Sequence, residues 1–234
     1  MSFKTSIETF FYIGLNKLSL CVFDGLNKKI FEKEDLINNN LEKENLNDLQ
    51  DKFFGENIIN VEKKIGKFIN EINLIILNPN FILIQASIKK NGKGDKIKKK
   101  DLSHMLFDLK QQIKENNTDK TITHMKINNF LIDKKRHFTL NDNFQCNELC
   151  LQVDFVCLSK DVIDDVSNKI KKYQISIDKI FSAKYLNEHH NIDDEDECHI
   201  AARLKYENDE NEVHLIKKTV ENPGFFERFF RFFN

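Results

Sequence analysis

The chain is poor in the residues that break or cross-link structure: two Pro, seven Gly, five Cys and no Trp in 234 positions. So little Pro and Gly excludes a collagen-like or Pro-rich filament. The five cysteines (Cys21, Cys146, Cys150, Cys157, Cys198) are an odd number scattered over the length, unlike the dense, even framework of a small secreted domain, and read as a reducing cytoplasm. Net charge is also scarce. Lys+Arg 36 against Asp+Glu 37 leaves -1, so no general basic field exists and nucleic acid is not an expected partner. The longest aliphatic runs, Leu74 to Leu77 and Phe81 to Ile84, fall far short of the roughly 20 residues that span a bilayer, and the N-terminus lacks the pattern of an export signal. What remains is a globular mixture, 40% apolar and 31% charged, rich in Lys and Asn, whose A/T-rich codons point to genome composition and not to function.

Along the chain, Phe11 to Phe23 reads as a strand, and Asp24-Gly25 as a turn before a second strand near Lys29 to Phe31. Lys33 to Asn57 is polar and reads as an irregular connection. Val61, Ile65, Phe68, Ile69 and Ile72 recur at three- and four-residue steps, one face of a helix starting at Ile58 with Asn57 as cap. Leu74 to Leu77 and Phe81 to Ile88 are strand-type runs around the turn Asn78-Pro79-Asn80. Seven lysines between Lys89 and Lys100 form a basic loop. A helix is predicted from about Asp101, strands over Ile122 to Ile132, His137 to Leu140 and Leu149 to Phe155, a helix capped by Ser159, and a last strand from Ile175 to Phe181. Glu188 to Glu197 holds six acidic residues and reads as part of a linker over 187–221. His189, His190, Cys198 and His199 lack metal-ligand spacing, so no metal is expected.

The last ten residues carry the clearest signal. On a helical wheel Phe225, Phe226, Phe229, Phe230, Phe232 and Phe233 fall within about 160°, opposite Glu227, Arg228, Arg231 and Asn234. Asn222 as cap and Pro223 at the first position predict a helix over 222–234. At about 1.5 Å per residue it is too short to cross a membrane and suits the interface. Six buried rings at about 1.5 kcal/mol or more each work against an ordering cost of about 1 to 2 kcal/mol per residue, so one copy binds weakly and several on one assembly bind by avidity.

The order of these elements, with the hairpin opened by Tyr12-Ile13-Gly14, the apolar pair around Asn78-Pro79-Asn80, Asp101-Leu102 opening a helix and the strand ending Phe130-Leu131-Ile132-Asp133, resembles the bacterial FtsA cell-division family. The resemblance covers roughly residues 1–185 and the terminal helix. It implies an α+β fold: a partial actin-like (RNase H-like) subdomain over 8–78 and 149–186, an inserted SHS2-type subdomain over 79–148, and most of a second actin-like half missing. Family members bind ATP through an Asp-x-Gly-Thr-like loop. Here Tyr12 stands at the acid's place, Gly14 is kept, Leu15-Asn16 replace the small hydroxyl residues, and no Gly-Gly pair exists anywhere. ATP binding is therefore expected to be lost, leaving Tyr12, Gly14 and Asn16 as a degenerate remnant.

On the same resemblance the chain is a non-catalytic adaptor on the inner face of the cytoplasmic membrane at the division site. Its expected partners are an anionic bilayer, other division proteins and itself through 79–148; contact with the tubulin-like FtsZ is doubtful because its docking half is missing. The six terminal Phe form the inserted face, and Arg228 and Arg231 meet lipid phosphates. Three alternatives stay open: an actin-like pilus-assembly protein; an enzyme using Cys146 or Cys150 with His137; and an RNA-binding module using the Lys89–Lys100 loop.

Overall fold

A computed structural model describes residues 7–37, 43–97, 99–138, 145–190, 195–206 and 212–213. The Phe-rich segment, with its cap Asn222 and Pro223, lies outside the described residues.

The chain opens with a meander of β1 (Glu8–Ile13), β2 (Lys17–Phe23) and β3 (Lys29–Leu36). β4 (Glu71–Ile76) and β9 (Ser176–Ser182) then add in parallel beyond β1, giving the order β3-β2-β1-β4-β9. The stretch expected as one strand from Phe11 to Phe23 is two. Gly14 N–H donates to the Lys17 carbonyl at 2.9 Å and closes a tight turn between them. β1 is buried on both faces, which is why it reads as a continuous apolar run and not an alternating one.

Phe11, Ile13, Leu18 and Leu20 point to one face, under α1 (Lys43–Ile65) and α3 (Lys160–Lys171). α1 corrects the expected irregular connection. Leu46, Leu49, Phe53, Ile58, Val61 and Ile65 keep helical spacing inside polar sequence, and all join this core. Asn57, expected as a cap, is a buried mid-helix residue whose side-chain amide donates to the Phe53 carbonyl at 2.8 Å. The helix stops at Gly66, whose φ of 71° is the left-handed conformation glycine adopts freely. Ser159 precedes α3 without a side-chain capping bond.

The opposite face carries Phe10, Tyr12, Cys21, Phe23 and Ile75, beneath α4 (Ala183–His189) and α5 (Glu197–Tyr206). α5 corrects the expected linker over 187–221. Cys198, Ile200, Ala201, Ala202 and Leu204 are buried against the sheet, and the acids before them are used structurally. Asp196 accepts the His199 N–H at 3.0 Å at the head of the helix and pairs with Lys29 at 2.7 Å.

Between β4 and α3 the chain builds a second, antiparallel sheet from β5 (Ile82–Asn91), β6 (Lys120–Ile132), β7 (Lys135–His137) and β8 (Glu148–Ser159), ordered β5-β8-β6-β7. α2 (Lys99–Asn116) covers one face, setting Met105, Leu106 and Leu109 on Met125, Ile127, Phe130, Leu151, Val153 and Phe155. The expected boundary at 148/149 therefore moves. The alternating strand after Leu149 is the second sheet's central strand, paired with β5 and β6, so this unit runs to Ser159. It occupies the crossover between the parallel neighbours β4 and β9.

Candidate functional site

Tyr12, Gly14 and Asn16, expected as a degenerate phosphate-loop remnant, lie at the β1–β2 turn. Asn16 accepts the Ile37 N–H through its backbone carbonyl at 2.7 Å, fastening the turn to the end of β3. The space above Gly14 is occupied by the Tyr12 ring. A Cβ on Gly14 would meet Tyr12 Cε1 at 2.6 Å and its hydroxyl at 2.8 Å. Lys17 Nζ sits 5.0 Å from the Tyr12 ring centroid and bridges Glu34 at 3.6 Å and Glu197 at 3.4 Å. Burial, and then the neighbouring Glu197, push the Tyr12 phenol well above its ordinary range. An incoming phosphate at this turn would meet an aromatic ring and two carboxylates whose charge Lys17 already serves.

A second cluster, absent from the sequence reading, joins the two sheets. His124 on β6 is buried; its Nε2 accepts the Ser182 N–H at 3.0 Å, so Nδ1 carries the proton and donates to Glu212 Oε1 at 3.0 Å. Tyr185 on α4 donates its hydroxyl to Glu212 Oε2 at 2.5 Å, and His190 Nε2 lies 3.3 Å from that hydroxyl. Burial alone would raise the Glu212 carboxyl, but the hydrogen bonds from His124 and Tyr185 more than offset it and hold it below its ordinary range. The segment is also fixed by its backbone, since Val213 N–H donates to the Met125 carbonyl at 2.9 Å. A carboxylate so placed binds the chain after α5 to the second sheet. Nothing in the sequence marks it, because His124, Glu212 and the pair Tyr185 and His190 at α4 come from three distant stretches of the chain.

The other candidate residues are not brought together. Cys150 lies on the sheet face away from α2, in register with Leu131 and Arg136, whereas His137 is in register with Phe130 on the α2 face. Cys146 is buried, and burial raises both thiols above their ordinary range. Among the described residues no group of three or more His, Cys, Asp or Glu could hold a metal ion. His190 and His199 serve Tyr185 and Asp196 respectively. The stretch expected as a basic loop begins inside β5 and ends inside α2; in it Lys89 pairs with Glu148 at 2.5 Å and Lys90 with Asp101 at 2.6 Å. A groove of about 330 Å³ beside it is lined by Lys90, Gly92, Lys93, Lys96, Asp95 and Asp101, so its charge is mixed. No helix among the described residues is long and apolar enough to cross a membrane.

No protein-family model and no curated protein matches this sequence. Among solved structures, a PilM–PilN type IV pilus biogenesis complex is similar at 10% identity and a TM-score of 0.46, over 77% of this chain and 48% of that one. The cytoplasmic domain of EpsL, an inner-membrane component of the Vibrio cholerae type II secretion system, is similar at 8% identity and a TM-score of 0.38, over 77% and 59%. A Bacteroides thetaiotaomicron protein with an actin-like ATPase fold is similar at 13% identity and a TM-score of 0.34, over 78% and 54%. The chain thus spans roughly half the length of these structures.

Proposed function

We propose that the chain is a non-catalytic binding scaffold of a membrane-associated protein assembly, built on part of an actin-like fold and needing no bound nucleotide. The observation that carries this is the filled turn: Tyr12 takes the space above Gly14, and Glu197 at the head of α5 closes over it through Lys17. A fold that spends its strand-end turn on packing keeps its surfaces for partners and its interior for stability. The Phe-rich terminus, at 225–233, supplies attachment to an anionic bilayer surface, with Arg228 and Arg231 at lipid phosphates. An FtsA-type division adaptor and an actin-like pilus-assembly protein are the two roles in a membrane-associated assembly that this reading covers. Pilus assembly and secretion are represented among the three structures named above, and cell division is not.

Two measurements on the full chain test the proposal. Calorimetric titration with Mg-ATP is expected to be silent, and tight binding would overturn the scaffold reading. Sedimentation with anionic liposomes is expected to pellet the full chain and leave a version ending at Glu221 in solution. Equal pelleting of both would remove the terminal tether.

A further inference from the structure

A strand at the edge of a sheet presents unpaired N–H and C=O groups, and folded proteins blunt such edges with charges, bulges, shortness or a cover. Among the described residues, three of the four sheet edges are treated in that way. β3 carries Lys29, Glu32, Lys33, Glu34 and Asp35, with a register shift against β2 at Val22/Phe23. β9 carries Asp178 and Lys179, and Lys205 from α5 reaches Asp178 at 2.7 Å. β7 is three residues long.

β5 is the exception. It is ten residues long and pairs with β8 over its full length without a bulge. It contains no Pro, and no charge occurs between Ile82 and Ile88. At its start Ile82 (39% exposed) and Leu83 (45%) leave apolar surface on both faces of the strand. Ile84, Ala86 and Ile88 face α2 yet stay only partly buried, because no further strand follows β5 among the described residues.

The sequence of β5 is complementary to itself in one antiparallel register. With Ala86 opposite Ala86, Ile84 falls opposite Ile88, Gln85 opposite Ser87 and Leu83 opposite Lys89. Because opposite residues share a face, the α2 side of the junction becomes a row of Ile, Ala and Ile from each copy, with no like charges facing each other. The two lysines near the end of the strand already have partners, Lys89 in Glu148 and Lys90 in Asp101. We propose that the outer edge of β5 is a self-association surface, where a second copy of this chain pairs β5 antiparallel to β5 about a two-fold axis at Ala86. The contact is isologous, so it closes at two copies and leaves no further edge of this kind. It adds on the order of eight main-chain hydrogen bonds and joins the two four-stranded sheets into one. It does not depend on membrane attachment.

The test is sedimentation equilibrium of the full chain at micromolar concentration, where twice the chain mass is expected. The double substitution Gln85→Lys with Ser87→Lys alters two exposed residues, places lysine opposite lysine twice across the axis, and leaves Asp154 as a partner for position 85. Its mass is expected to halve while its circular dichroism and melting stay those of the parent. Register is read by oxidative cross-linking: Ala86→Cys sits opposite itself at disulfide distance, while Ser87→Cys is diagonal to its copy at about 7–8 Å, so the first cross-links several-fold more than the second. A monomeric parent overturns the proposal. So does a Lys variant that stays dimeric, or equal cross-linking at 86 and 87, which is the result if association runs through the Phe-rich terminus instead.

Discussion

Replacing Glu212 by Ala should loosen the joint between the two sheets, where His124 on β6 is held between this carboxylate and the Ser182 N–H at the end of β9. The carboxylate is buried and accepts hydrogen bonds from His124 Nδ1 at 3.0 Å and the Tyr185 hydroxyl at 2.5 Å. Bonds to a charged group contribute about 1.5–3 kcal/mol each and Glu212 accepts two of them, so Glu212→Ala should cost about 3 to 6 kcal/mol. For a chain of this size that is a drop in melting temperature of roughly 6 °C or more. Glu212→Gln keeps the shape and one acceptor oxygen and should lose about half as much. Calorimetric melting of the three proteins at neutral pH measures both. The pH dependence follows from the depressed carboxyl of Glu212. The unfolded chain takes up the proton first, so the stabilisation is complete above the ordinary carboxylate range and is lost as pH falls through the folded value. The gap between parent and Glu212→Ala should therefore narrow on acidification. An Ala variant melting within about 2 °C of the parent at neutral pH would refute the idea that this carboxylate fastens the sheets together.

Gly14→Ala places a methyl 2.6 Å from the Tyr12 ring and should cost about 1–3 kcal/mol, and a double-mutant cycle with Tyr12→Ala should show that the two positions couple by at least about 0.5 kcal/mol. Asp196, which burial alone would raise, is held down to about 2 by hydrogen bonds from Lys29 and His199; its contribution should be present above pH ~4 and fade between pH ~4 and ~2, and an Asp196→Asn variant should show a flatter stability profile across that window. Cys150 is the one partly exposed thiol of the five, and burial lifts Cys157 to about 11, so a thiol reagent at mildly alkaline pH should label Cys150 first and the other four only on unfolding.

The elements whose apolar residues alternate or recur within one short window were legible: β5, β6 and β8, and the helices after Asp101 and Ser159, fall near where periodicity puts them, whereas the strand expected over His137 to Leu140 is β7 at Lys135–His137 and its expected end lies outside the described residues. The misses have a common physical cause. α1 hides its apolar face among Asn, Asp and Lys, and α5 follows an acidic run, so composition outweighed spacing in both. The break at Gly14 was invisible because β1 and β2 are apolar on both faces and the turn between them keeps an apolar Leu15. The order Tyr12-Ile13-Gly14 in the sequence does not show that the Tyr12 ring folds back over Gly14. The joint of His124, Tyr185, His190 and Glu212 spans 88 positions between His124 and Glu212 and obeys no local spacing. The self-complementary register of β5 was written in the sequence, yet only the position of the strand at an edge gives it meaning.

Placing a whole sheet inside one crossover also dictates an order of assembly. β4 and β9 are neighbours, but Glu71 pairs with Ser176 across more than a hundred intervening positions. Closing so long a loop as an open coil is slow, and topologies dominated by distant pairings fold late. If β5 to β8 condense first, their compact body draws the exit of β4 and the start of α3 together, and the first sheet finishes by docking two ends already close. A defect in the second sheet would then appear as sluggish completion of the first.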